Sequence, residues 1–333
     1  MTKPEHPRDA ERISRRRFLM QLAQAGAAIG AASLATYYFY DPVGPTGQMS
    51  APPLTQLPDF SIADLRGKMA IAQGSKREKS LEAALESLGG ISRFVSRGDV
   101  VLIKVNAAFA SPAMLGATTH PDLVRAIVTL CRKAGAREVR VADNPINDPE
   151  SCFRLSGVGA AAEEAGARLI LPRPNAFRQL TLEKGQLIRN WPVMTAALDG
   201  ATKVIGVTPV KDHNRAGASM TMKNWYGLLG GRRNTFHQDI HTIITELAML
   251  MRPTFVVLDG TTVMVSNGPT GGSTADLREA NTLVVSTDQV AADAFGATLL
   301  GRTVSDLPYL ARAEAAGCGT TNFNSLNPIR VEV

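Results

Sequence analysis

The residues with the most chemistry in this 333-residue chain crowd into one window, Val204 to His241. It opens as a short apolar run, Lys203 to Val207, that reads as a buried strand. It then turns polar within a few residues, at Lys211, Asp212, His213, Asn214 and Arg215. After a glycine-rich middle it closes on His237 and His241, four residues apart. Three of the five histidines fall here. On a helix, an i, i+4 spacing puts two imidazoles on one face, where both can reach one metal ion. No glutamate follows the first histidine, so the H-E-x-x-H arrangement of zinc proteases is absent. A third ligand would come from His213 or from a strand-tip aspartate such as Asp143, Asp259 or Asp288. The other reading of the histidine pair is a solvated or hydrogen-bonded helix start.

The window is also basic. Lys104, Lys211 and Lys223, with Arg215, Arg232 and Arg233, could clamp a carboxylate or phosphate. The Gly227–Gly231 and Asn267–Gly272 turns would let backbone amides approach an anion. Arg232-Arg233 reads as a solvated charge pair. Asp288 fits a helix N-cap. Asp293, one turn further among alanines, would face either the site or a buried partner, as an acid/base group or ligand.

Such residues need a frame. From about residue 95 the chain alternates apolar strand, polar tip and amphipathic helix. Strands are expected at Val100–Val105, Glu138–Ala142, Arg168–Leu171, Lys203–Val207, Phe255–Leu258 and Thr282–Ser286. Helices are expected over Asp122–Lys133, Gly159–Glu164, Asp239–Met251 and Val290–Leu300. Residues 172–200 suit a hairpin or an inserted edge. The implied fold is α/β, a mostly parallel sheet with helices on both faces. Asn106, Asp143, Asn144, Lys211, Asp212, His213, Asp259 and Asp288 all fall at expected carboxyl ends of strands, where open parallel sheets bind ligands. Turns favour Asp and Asn regardless, but that explains Lys104, Lys211 and His213 poorly.

Bulk properties narrow the partners. An apolar content of 44% suits a full core. The formal charge is +6, and the first 41 residues carry six Lys/Arg against four Asp/Glu. The remaining charge is too small to argue for nucleic acid, and aromatics at 5% supply few stacking platforms. Cys131, Cys152 and Cys318 form no C-x-x-C, so the chain has no iron–sulfur motif of its own. A Cys152–Cys318 bridge is conceivable; three idle thiols is the simpler expectation. Gly157-x-Gly159-x-x-Ala162 lies too far past its strand for a dinucleotide fingerprint. P-loop and G-x-S-x-G motifs are absent.

The N-terminus reads as an address. Ser14-Arg15-Arg16-Arg17-Phe18-Leu19-Met20 closely matches the twin-arginine export pattern, and an Ala/Gly-rich apolar run follows to Tyr40. Expected are a signal or possible anchor over residues 1–41, a linker over 42–58 and one α/β domain over 59–333. Ser33-Leu34-Ala35 is an acceptable cleavage site. The partners implied are the twin-arginine translocase and a small anionic ligand, with the protein in the periplasm. A membrane is involved only through the N-terminal segment, if it is uncleaved.

The ordered motifs Val101–Asn106, Thr118–Val124, Val141–Asp143, Lys211–His213, Lys223–Gly227, Asp259-Gly260, Asn267–Gly271 and Ser286–Asp293 resemble the domain-of-unknown-function family 362. The resemblance covers roughly residues 95–320 and implies an α/β domain of undetermined activity. Some relatives carry 4Fe-4S cysteine motifs that this chain lacks. Val105 stands where that pattern has proline.

Together these observations suggest one polar cleft. His213, His237, His241 and Asp259 would hold a divalent metal. Lys104, Asn106, Asn224 and Gly268 would hold an anionic substrate, and Lys211, Lys223 and Asp293 would act on it. The rivals are a non-catalytic cofactor carrier or assembly protein, and a redox partner of an iron–sulfur protein.

Overall fold

A computed structural model describes residues 15–39 and 54–333. The chain divides into two units, Met1–Pro52 and Pro53–Val333. The first contains helix α1 (Arg15–Phe39), with Phe18, Leu19, Leu22 and Ile29 exposed. Among the described residues no helix is long and apolar enough to cross a membrane. Ser14 of the export pattern and most of the expected linker lie outside the described residues. The last linker residues, 54–58, form an extended arm on the second unit: Leu54 exchanges backbone hydrogen bonds with Gln179 and Thr181, and Leu57 is buried.

The second unit begins with β1 (Met69–Gln73) and α2 (Arg77–Ser87), neither expected from the sequence. Then come β2 (Val100–Lys104), α3 (Pro121–Lys133), β3 (Glu138–Ala142), α4 (Pro149–Leu155), α5 (Val158–Glu164) and β4 (Arg168–Ile170). Pro121 starts α3 where its missing N–H costs nothing, and His120 caps it by accepting from the Asp122 amide. β5 (Arg178–Leu180) and β6 (Trp191–Val193) form a separate two-stranded ribbon, the hairpin expected within 172–200. β7 (Lys203–His213), β8 (Gly217–Ser219), α6 (Thr221–Asn224) and α7 (Ile240–Leu250) follow. The chain ends with β9 (Phe255–Met264), β10 (Leu277–Ser286), α8 (Gln289–Leu299), α9 (Pro308–Ala315) and β11 (Ile329–Glu332).

The sheet runs in the order β11-β1-β10-β9-β7-β2-β3-β4, with β8 paired to β7. The β11–β1, β9–β7, β7–β2, β2–β3 and β3–β4 pairs are parallel, while β10 runs against both its neighbours. Alternation sends Leu102, Val204, Val256 and Leu258 into one core layer and Val101, Ile103, Val141, Ile205 and Val257 into the other. Both faces are therefore covered, and the strands read as continuous apolar runs. β2 is followed outward by β3 and β4, whereas β7 on its other side leads to β9 in the opposite direction. The carboxyl ends of β2 and β7 thus flank the point where strand order reverses, which opens a crevice.

Three expected tips differ. Lys211, Asp212 and His213 lie inside β7, because the strand continues into a hairpin with β8, pairing Lys211 with Ser219 and His213 with Gly217. Asp259 lies mid-strand in β9, opposite Leu283. Asp288 follows antiparallel β10, so it stands at the opposite rim, where it caps α8 through the Ala291 amide.

Candidate functional site

At the crevice, β2 delivers Lys104 and β3 leads directly into Asp143. Their 2.8 Å ion pair is almost wholly buried. The Lys104 Nζ also donates to the Val105 carbonyl at 2.7 Å and to Asn224 Oδ1 at 3.2 Å. An ammonium has three N–H groups, and all three are used. Asp143 is equally committed, accepting from the Ala107 and Asn144 amides. Asn224 returns a hydrogen bond from Nδ2 to the Lys104 carbonyl, and Asn106 Nδ2 reaches Asn224 Oδ1 at 3.5 Å. Gly227 lies over the pair: a Cβ there would fall 1.9 Å from Asp143 Oδ1 and 2.7 Å from Lys104 Nζ. Lys104, Asn106 and Asn224, expected to grip a substrate, instead satisfy one another and set the floor.

Lys211, fully buried, donates to the Ala117 carbonyl at 2.6 Å and to Asn106 Oδ1 at 3.3 Å. Burial, then the neighbouring Lys223 charge, brings its ammonium down to about 7. Lys223 has no hydrogen-bonding or ion-pair partner among the described residues. Its Nζ rests 5.0 Å from the centre of the Tyr226 ring, and burial with Arg233 nearby brings it down to about 8. Arg233 is not the solvated residue expected. It is 8% exposed and ties the Tyr226, Leu229, Asn144 and Pro145 carbonyls together. Four cations (Lys104, Lys211, Lys223 and Arg233) thus act on one another around a single carboxylate, Asp143. Such an excess in a desolvated site favours an anion.

The histidines do not assemble as expected. His237 lies in a 3-10 turn, Arg233–Asp239, before α7 starts at Ile240, so His237 and His241 share no helical face. The His237 ring stacks near His213, centroids 5.7 Å apart, whereas His241 stacks against Tyr309 at 6.0 Å. Asp259 is held by Arg77 at 2.7 Å, a partner distant in sequence. Among the described residues no three His, Cys, Asp or Glu side chains are grouped to hold a metal ion. His213 is also oriented against ligation. Its Nδ1 accepts from the Arg215 and Ala216 amides, which places the ring proton on Nε2. Burial, followed by the Lys223, His237 and Lys211 charges, brings His213 down to about 2, so it stays neutral. The network assigns His237 the opposite tautomer: the Asn234 carbonyl, 3.2 Å from Nδ1, can only accept, and the Tyr226 hydroxyl lies 3.1 Å away, which leaves the lone pair on Nε2. Tyr226 gives its own proton to the Arg233 carbonyl. Burial, then the Lys223 charge, lowers His237 as well.

Two further assignments change. Asp293 accepts from the Thr221 and Met222 amides and the Thr221 hydroxyl, so it anchors the start of α6 beneath the site. Burial raises its carboxyl to about 7 despite those bonds. Gly268 docks on β7: its amide donates to Asp212 Oδ2, and a Cβ would fall 2.0 Å from the Asp212 carbonyl. Beside the cluster lies a cavity of about 660 Å³ whose wall includes Asn144, Phe177, Tyr226, Arg233, Asn234 and His237. Tyr226 was not singled out in the sequence, and Arg233 was read as solvated. The Lys223–Gly227 motif and the Arg232-Arg233 pair contained them, but neither position signals burial.

A family model described as a domain of unknown function, DUF362, matches residues 101–298. The chain belongs to the DUF362 family. The matched span contains every residue of the cluster, from Lys104 to His237. A thylakoid-associated protein of Synechocystis sp. is 26% identical over 258 residues, which are 73% of this chain and 75% of that protein. Two solved structures are also similar. The lactate racemase apoprotein of Thermoanaerobacterium thermosaccharolyticum has a TM-score of 0.40 at 13% identity over 71% of this chain. A Thermotoga maritima protein has a TM-score of 0.34 at 11% identity over 57% of this chain. This chain spans 58% and 52% of their respective lengths.

Proposed function

We propose that this DUF362 protein binds a small anion, a substrate or an anionic cofactor, between Lys223, Lys211 and the His213–His237 pair. The carrying observation is the excess of positive charge, buried at Lys104, Lys211 and Arg233, with half-buried Lys223 lacking an acceptor among the described residues. A carboxylate or phosphate oxygen would complete it through charge-assisted hydrogen bonds. Lys104, Asp143, Asn106 and Asn224 serve as a rigid floor, their donors already spent. The divalent-metal reading loses its support in the geometry, because His213 points a proton where a metal would need a lone pair. The twin-arginine pattern supports an exported protein that folds, with any cofactor, before translocation.

The test is calorimetric titration of the purified protein with phosphate, sulfate, acetate and pyruvate. Saturable binding is expected for at least one, weakened at least tenfold by Lys223→Met with the fold intact. Equal binding by wild type and variant would overturn the assignment. Loss of export on Arg15→Lys/Arg16→Lys, with the protein retained folded in the cytoplasm, would support the address; unchanged export would remove it.

A further inference from the structure

The two imidazoles beside Lys223 are held as opposite tautomers by fixed backbone partners. His213 is pinned at Nδ1 by two amide donors, which can only give protons. His237 Nδ1 faces the Asn234 carbonyl, which can only accept, and the Tyr226 hydroxyl, whose proton goes to the Arg233 carbonyl, so the ring proton is assigned to Nδ1. The rings are nearly parallel, 14° apart, with centroids 5.7 Å apart. At that spacing no ligand fits between their faces, so a ligand would meet their edges. One edge offers an N–H and the other a lone pair. The charge that most opposes protonation of both rings is that of Lys223. A pair that only bound an anion would do best with two N–H donors. A donor beside an acceptor suits a ligand with an oxygen that gains charge and a hydrogen that leaves.

Resting on the anion-binding reading above, we propose that the site performs proton transfer on a small carboxylic acid with a carbonyl next to a C–H group, a 2-oxo acid. Lys223 holds the carboxylate. The His237 Nε2 takes the proton from C3 as the C3–H bond breaks. The electron pair forms the C2–C3 double bond, and the carbonyl pair moves to oxygen, where the His213 Nε2–H donates a hydrogen bond. Return of the proton from the His237 imidazolium restores the acid. No electrons leave the substrate, and no other reactant is consumed. His213 stays neutral even beside a base, so it polarises the carbonyl as a hydrogen-bond donor and gives up no proton of its own.

The proposal is tested by proton NMR of pyruvate and 2-oxobutyrate in D₂O with the full-length protein. Deuterium should enter C3 at least tenfold faster than in buffer. His237→Asn keeps an N–H for Asn234 and removes the base, so exchange should fall to background even at saturating substrate. His213→Gln keeps a donor near the Nε2 position and should retain part of the rate; His213→Asn should not. Binding without exchange on both probes would overturn the proton transfer and leave the anion site standing. Absence of binding would remove both. Exchange that survives His237→Asn would overturn the assignment of the base. Nitrogen-15 histidine spectra of the wild type give a readout that needs no variant. His213 should be the Nε2–H tautomer and His237 the Nδ1–H tautomer from pH 6 to 8, and matching tautomers would refute the pair.

Discussion

The buried Lys104–Asp143 pair gives the sharpest stability prediction. Asp143→Asn keeps the shape and one acceptor but removes the only carboxylate that the described residues place within the four-cation cluster. Lys104 is already pushed below its ordinary range by burial, with Asp143 as the main opposing influence. Removing one partner of a buried pair typically costs about 3–5 kcal/mol, because the survivor stays charged and desolvated. For a domain of this size that corresponds to a fall in Tm of roughly 6–20 °C, at roughly 2–4 °C per kcal/mol. Urea unfolding and thermal melts of the full-length protein would measure it. Removing both charges, in Lys104→Met/Asp143→Asn, should recover part of the loss, since an apolar replacement of a buried pair is often neutral. A bound anion should also stabilise the single variant, by about 2.7 kcal/mol at a hundredfold excess over its Kd. A loss below about 1 kcal/mol, or a double variant no better than Asp143→Asn, would mean the pair is not desolvated as described.

Four other outcomes follow from the same geometry. Gly227→Ala should destabilise the protein by about 2 kcal/mol or more, because the new methyl cannot coexist with Asp143 and Lys104 where they stand; a melt within 1 °C of wild type would contradict that contact. Anion affinity should fall as pH rises from 7 to 9, because Lys211 near 7 and Lys223 near 8 lose the charge that binds; a flat calorimetric profile would exclude both lysines. Stability should run the other way. Lys211 and Lys223 titrate at 10.5 when unfolded, so between 7–8 and 10.5 the unfolded chain holds more protons and stability rises with pH. Asp293, raised from 3.8 to about 7, holds its proton only in the folded state over that interval, so its contribution is lost as pH climbs from 4 to 7; Asp293→Asn should flatten that limb of the urea profile.

Much of this site was legible because the residues sit where a parallel sheet exposes strand ends. Lys104 and Asp143 were found through the apolar runs that precede them, and Lys211, His213 and Lys223 through a basic, glycine-rich window. Their roles were not legible. Whether Lys104 has an N–H to spare depends on Asn224, 120 residues away. Whether Asp259 can ligate depends on Arg77, 182 residues away on a helix that the pattern did not show. Strand direction was equally hidden: Thr282–Ser286 reads the same either way, and only its antiparallel ladders with β1 and β9 send Asp288 to the far rim. The histidine spacing misled because four residues imply one face only inside an α-helix. Here a 3-10 turn intervenes, and Asp239 caps α7 after His237 has already turned away.

The division between floor and working groups follows from counting donors. Lys104 spends all three of its N–H groups and Lys211 spends two, while Lys223 meets only an aromatic face. Arg233 directs its positive charge at the cluster while its hydrogen bonds go to backbone carbonyls. Charge without available donors raises the potential of a site but selects nothing. On the anion-binding reading, selection falls to the few polar atoms still open, the Lys223 ammonium, the third Lys211 N–H, the His213 N–H and the His237 lone pair, and these are of three kinds. A ligand that satisfies all of them needs an anionic oxygen, a second oxygen that accepts and a hydrogen that can be given up. A simple inorganic anion meets the first requirement and fails the third, so it should bind more weakly than an oxo acid of equal charge. Calorimetry with sulfate and pyruvate side by side measures that difference, and tighter sulfate binding would show that charge alone governs the cleft.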